Sequence, residues 1–125
     1  MRNRTSMHPQ LEILLQIQDL KAQRRELTAG GDEHRIEEKE FHINVEEALA
    51  RLDAKAAELE AELTPAVRRR YEQVSGGRDR AVVPVINGTC YGCFVSLPTA
   101  RVSELIRNDE IHHCDNCGCF LYGVR

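Results

Sequence analysis

Four of the five cysteines stand in two pairs of identical spacing, Cys90-Tyr-Gly-Cys93 and Cys114-Asp-Asn-Cys117, with 20 residues between the pairs. Two residues between cysteines make a tight turn that brings both sulfurs onto one ion and lets turn N–H groups bond to the thiolates. Gly92 and Gly118 stand where such turns need backbone freedom. Four thiolates fill a tetrahedral Zn2+ shell and leave no position for water or substrate. Cys90, Cys93, Cys114 and Cys117 are therefore expected to hold one structural zinc ion, and two such knuckles with strands between them spell a zinc ribbon. Disulfides fit less well, because the cysteine number is odd and Met1 to Pro9 contain no signal-peptide core. A thioredoxin-like redox site lacks its surrounding βαβ pattern. Cys119 is one residue from Cys117, a poor knuckle spacing, and is expected to be a spectator thiol on a strand. His112 and His113 are expected to alternate across another strand.

The rest of the 125 residues has a different chemistry. The chain has no Trp, 5% aromatic and 30% charged residues, and its first two thirds are dominated by residues that favour long helices. Residues 1–9 show no periodicity and are read as a flexible arm, with Pro9 suited to a first helical turn. Ile13, Ile17, Leu20 and Leu27 form a heptad seam from Gln10 to Thr28. Gly30 and Gly31 then end the helix, and Asp32 caps a second one expected to run to Leu63. Thr64 and Pro65 read as a new cap and first turn, and Ser75-Gly76-Gly77 as its stop. Beyond Asp79 lies the β-branched run Ala81 to Ile86, with Pro84 confining it to an edge or irregular strand. An Asn87-Gly88 turn follows, then a helix from Leu97-Pro98 to Ile106 and short strands at 111–113 and 120–122. The expected fold class is α+β: an antiparallel helical coiled-coil hairpin over 10–78, followed by a small β zinc ribbon over 79–125.

Charge separates possible binding surfaces. The arm from Asp32 to Glu62 carries four basic and eleven acidic side chains, so phosphates are repelled from it. Residues 64–80 carry five basic and two acidic ones, which makes Arg68, Arg69, Arg70, Arg78 and Arg80 the candidate nucleic-acid contacts, with Tyr71 and Tyr91 as stacking residues. No nucleophile–base set is evident, and no enzyme is expected. With no apolar run of ~18 residues, no membrane span is expected and a cytoplasmic location is.

The stretch Cys90-Tyr-Gly-Cys93-Phe-Val-Ser-Leu97-Pro98, then Cys114-Asp-Asn-Cys117-Gly118 and Leu121-Tyr122, resembles the bacterial C4-type zinc-ribbon family with an N-terminal coiled-coil hairpin. Leu63-Thr-Pro65, Tyr71-Glu72 and Ala81-Val-Val83 agree with the family's approach to its first knuckle. The resemblance implies nucleic-acid binding, or an adaptor or chaperone role in flagellar and type III secretion, with an alternative sigma factor, RNA polymerase, a secretion component or an RNA as partner. The hairpin is shorter than the family's, and Cys119 stands where the family has a basic residue. The architecture is also similar to polymerase factors whose acidic hairpin tip enters the polymerase channel, which makes Asp32 and Glu33 tip candidates for a partner contact. The leading expectation is a non-enzymatic adaptor for a protein partner, with direct DNA or RNA binding through the basic joint as the alternative.

The long helix also presents two apolar sides. Ile36, Ile43, Ala50, Ala54, Ala57 and Ala61 lie on one, and Phe41, Val45, Ala48, Leu49, Leu52, Leu59 and Leu63 on the other. One short first arm covers a single side, so a homodimer is expected, dissociated by Leu52→Glu with Leu59→Glu. Chelation is expected to melt the ribbon and leave most of the helix.

Overall fold

The computed structural model describes residues 7–29, 45–78 and 80–124. Helix α1 spans Pro9–Thr28, and His8 caps it by accepting the Gln10 N–H on its Nδ1 at 3.0 Å. Met7 and His8, expected in the flexible arm, are fixed: Met7 packs on the core and the His8 N–H donates to the Asn108 carbonyl at 2.7 Å. Helix α2 spans Val45–Ala61 and runs antiparallel to α1, as the pairs Arg24–Asp53 (2.8 Å) and Lys21–Glu60 (3.3 Å) require. The expected turn, with Asp32 and Glu33, and the apolar positions Ile36, Phe41 and Ile43 lie outside the described residues. Helix α3 spans Pro65–Ser75, and its Thr64 cap accepts the Val67 N–H. Gln10 brackets the α2–α3 kink, its Oε1 accepting the Thr64 N–H at 2.8 Å and its amide donating to the Glu62 carbonyl at 3.1 Å.

The ribbon contains β1 (Val82–Ile86), β2 (Thr89–Cys90), helix α4 (Thr99–Leu105), β3 (His112–His113) and β4 (Phe120–Val124). The sheet order is β2-β1-β4-β3, with β1 and β4 parallel and the outer pairs antiparallel. Asn87 (φ 53°) and Gly88 (φ 76°) make the two-residue β1–β2 turn, a backbone that the Asn-Gly pair favours. Pro84 departs from expectation, because it sits in a central strand. Alternation places it on the side of β1 away from β4, the side of Val82. There the β2 strand is only two residues long, and α1 supplies the missing partner: Gln18 accepts the Val82 N–H at 2.9 Å and donates to its carbonyl at 2.8 Å. A proline N without hydrogen therefore interrupts no ladder.

Helix α1 thus has two neighbours, and this changes which of its residues are buried. Leu11, Leu14 and Ile17 are enclosed, whereas Ile13 and Leu20 of the expected seam are only half-buried. One continuous core joins these α1 residues to Leu59 and Leu63, to Tyr71 and Val74 of α3, and to Val82, Phe120 and Leu121 of the ribbon. The chain itself covers Leu59 and Leu63, which are 6% and 3% exposed. On the opposite side of α2, Ala50, Ala54, Ala57 and Ala61 face solvent, at little cost for such small side chains. Leu52→Glu with Leu59→Glu would therefore disrupt the helix pair itself. Val45, Leu49 and Leu52 of the expected dimer face are half-buried, and Ile36, Phe41 and Ile43 lie outside the described residues.

Asn108 serves β4 as Gln18 serves β1, accepting the Gly123 N–H at 2.7 Å and donating to its carbonyl at 3.1 Å. Here β4 runs against the end of α4. A Cβ on Gly123 would lie 2.5 Å from the Ile106 Cα and 2.7 Å from the Leu105 carbonyl oxygen. Both are backbone atoms, so neither can rotate aside. Gly123→Ala is expected to cost about 3 kcal/mol or more, read as a fall in the denaturation midpoint at constant m. A midpoint equal to that of the parent chain would show that β4 and α4 are not in contact.

Candidate metal centre

The two knuckles are built alike, hydrogen bond for hydrogen bond. In the first, the Phe94 N–H donates to the Cys90 carbonyl (2.6 Å) and the Cys90 N–H to the Val95 carbonyl (3.0 Å). In the second, Gly118 N–H donates to Cys114 (2.9 Å) and Cys114 N–H to Cys119 (2.9 Å). Each turn aims a further N–H at its first sulfur: Gly92 at Cys90 Sγ (3.4 Å) and Asn116 at Cys114 Sγ (3.3 Å). Those donors stabilise thiolate, the form that binds metal. The residue after each second cysteine adopts positive φ, Phe94 at 64° and Gly118 at 82°. Gly92 is needed for space, since a Cβ there would lie 3.2 Å from Cys117 Sγ and 3.3 Å from Val83 Cγ2.

The four sulfurs of Cys90, Cys93, Cys114 and Cys117 all lie within 4.8 Å of one another. Three of their separations are 3.8 Å (Cys90–Cys117), 3.8 Å (Cys90–Cys93) and 3.7 Å (Cys93–Cys114). A tetrahedron with Zn–S bonds of ~2.3 Å has edges of ~3.8 Å. The sulfurs therefore occupy the corners that one zinc ion requires, too far apart for disulfides. Burial pushes the Cys90 and Cys117 thiols up to about 12. The Asn116 side chain brings Cys93 down to about 6. A closed set of four cysteine sulfurs at tetrahedral spacing suits one divalent cation, which would hold the thiolates ionised and stabilise the fold.

Residues 89–121 match the family model of the C4-type zinc ribbon domain.

Residues 89–121 form a C4-type zinc ribbon.

Two solved structures resemble the wider chain. The HP0958 protein of Helicobacter pylori is 22% identical with a TM-score of 0.60, covering 74% of this chain and 38% of its own. CT398 of Chlamydia trachomatis is 26% identical with a TM-score of 0.54, covering 78% of this chain and 41% of its own. The chain thus spans about two fifths of the length of either. No curated protein sequence matches it. Among the described residues, no helix is long and apolar enough to cross a membrane.

Around the ribbon's metal set, Cys119 is buried directly before β4 and gives its S–H to the Arg80 carbonyl at 3.7 Å. His112 and His113 form β3, half-buried, and neither joins the sulfur cluster. Arg101 ties the second knuckle to α4 by donating to the His113 carbonyl at 2.7 Å and pairing with Asp115 at 3.5 Å.

The five joint arginines do not share one patch. Arg68 donates to the carbonyls of Glu60, Ala61 and Leu63, closing the end of α2. Arg70 lines a shallow groove with Ile111, His113 and Phe120, while Arg69 is exposed. Arg78 donates to the Gly92 carbonyl at 3.2 Å, and Arg80 is exposed. Tyr71 is buried, which removes it as a base-stacking residue. Tyr91 is exposed, and its ring lies 5.4 Å from that of Phe94. Phe94 was not distinguished by sequence reasoning; the signal available was its place after Cys93, where the second knuckle has a glycine.

Proposed function

We propose that the protein is a non-enzymatic adaptor that docks a protein partner on the aromatic pair of its first zinc knuckle. The observation that carries this reading is Phe94, 68% exposed and held at φ 64°. Left-handed backbone costs a β-carbon-bearing residue roughly 1–2 kcal/mol, and the equivalent turn of the second knuckle uses Gly118. Neither the strain nor the exposed ring helps the fold, which points to a partner. Tyr91, 44% exposed and tilted 56° to Phe94, completes a rigid aromatic surface of the kind that dominates interface energetics. The closed four-thiolate shell offers no site for chemistry. The setting in transcription or secretion follows from the family resemblance, with a sigma factor, RNA polymerase or a secretion component as the partner class.

Capture from a bacterial lysate tests the reading, comparing the intact protein with Phe94→Gly and with Tyr91→Ala plus Phe94→Gly. Phe94→Gly should stabilise the fold by about 1 kcal/mol, keep its zinc and lose most of the captured protein. Undiminished capture of the same proteins by the double variant would contradict it.

A second reading, direct binding of single-stranded RNA or DNA, draws on Arg78 lying against the first knuckle beside Tyr91. Salt separates the two: phosphate contacts weaken steeply as salt is added, whereas docking on Phe94 does not.

A further inference from the structure

Where α1 passes over the start of the ribbon, a cleft of about 190 Å3 opens, lined by Lys21, Arg25, Tyr71, Ser75 and Arg78. Among the described residues, no carboxylate lines it. A neighbouring hollow of about 400 Å3 shares Arg25 and Gln18 with the cleft and adds Arg80 and Tyr122, with Asp19 as its acidic member. The cations come from segments about fifty residues apart in sequence, and the fold gathers them on one side of the molecule.

The guanidinium groups keep donors for a ligand. Among the described residues, the Arg25 guanidinium has no hydrogen-bond or ion-pair partner, and Arg80 is likewise unpaired. Arg78 spends one N–H group on the Gly92 carbonyl, which fixes its guanidinium at the rim and leaves its other donors free. Lys21 is held over the Tyr71 ring, 5.4 Å from its centre, and pairs with Glu60. Partial burial works to lower the Lys21 pKa, but the Tyr71 and Glu60 contacts outweigh it and raise it, so the ammonium stays charged. Counting Glu60, three cations face one carboxylate among the described residues, and that one pairs with Lys21. A cleft of 190 Å3 is below the ~300–1,000 Å3 of sites that enclose organic ligands, so it suits a small, highly charged group.

We propose that this cleft is an oxyanion site that binds the phosphate or diphosphate group of a phosphorylated ligand through Lys21, Arg25 and Arg78. Two guanidinium forks and an ammonium match phosphate oxygens in charge and geometry. The site meets the first knuckle at Arg78 but uses neither Tyr91 nor Phe94, so it stands whether or not the adaptor reading does.

Isothermal titration of the zinc-loaded protein with inorganic pyrophosphate at low salt tests it, with zinc content measured before and after. The expected result is one site per chain. Arg25→Glu, which breaks no hydrogen bond or ion pair among the described residues, should weaken binding at least about tenfold, whereas Arg69→Ala should leave it unchanged. Arg78→Ala should weaken it too, with retained zinc and helical signal showing that the ribbon is intact. A parallel titration with ADP identifies the source of the phosphate. Tighter binding than pyrophosphate places a nucleoside in the neighbouring hollow, and equal or weaker binding assigns an inorganic polyphosphate. Either supports the site. No pyrophosphate binding by the parent protein, or equal binding by Arg25→Glu, overturns it.

Discussion

Removing zinc, by a chelator or by Cys90→Ser, is expected to unfold the ribbon and the helices in one transition. Structural zinc contributes on the order of 10 kcal/mol of apparent binding free energy at neutral pH, and a domain has only about 5–15 kcal/mol of net stability. Cys90 is fully buried, so a serine there also leaves a hydroxyl where the metal set needs a sulfur. The loss spreads because the core is shared. Leu11, Leu14 and Ile17 of α1, and Tyr71 and Val74 of α3, pack with Val82, Phe120 and Leu121. Deprived of that surface, α1 and α2 keep only their packing on each other, and helices in proteins owe most of their stability to packing rather than to propensity. Far-ultraviolet circular dichroism and tyrosine fluorescence should change together on chelation. Helical signal that persists after the tyrosine signal is lost would show that the hairpin folds independently, as the sequence alone suggested.

Zinc affinity should rise steeply with pH. Burial in the fold pushes Cys90 and Cys117 up to about 12, and an unfolded thiol titrates near ~8.5. In either metal-free state both thiols are protonated between about pH 6 and 8, and zinc must displace both protons. Each displaced proton changes the affinity tenfold per pH unit, so the two give a slope of at least about a hundredfold per unit. In the folded chain, Cys93 is already ionised above about 6, under the influence of Asn116, and steepens the slope only below that value. Competition with a chelator of known affinity across this range measures it. A slope below two protons per zinc would contradict the closed thiolate site.

What the sequence made legible was local. Cysteine spacing decides how two sulfurs meet, and the four named ligands converge as expected. Thr64 caps α3, and Asn87-Gly88 turns β1 into β2, because each signal acts within four residues. What was hidden depends on partners distant in the chain. The α1 seam reads as facing one helix, but a second neighbour, the ribbon, rotates burial toward Leu11 and Leu14. Pro84 reads as an edge residue until Gln18, more than sixty residues earlier, is seen to occupy the adjoining side of β1. Arg68 reads as a nucleic-acid contact because its charge is visible in sequence, whereas the carbonyls it closes are not. Lys21 and Arg25 sit in a part of the chain with net acidic charge, and only the fold brings them to Arg78.

The central claim is that four thiolates hold one zinc ion and thereby complete a core shared by ribbon and helices. Zinc-edge X-ray absorption on the purified protein, with the metal-to-protein ratio measured on the same sample, tests it most directly. The account predicts one zinc per chain with four sulfur neighbours at ~2.3 Å and no oxygen or nitrogen ligand. A metal-free protein that keeps the ribbon fold, or a zinc with fewer than four sulfurs, would contradict it.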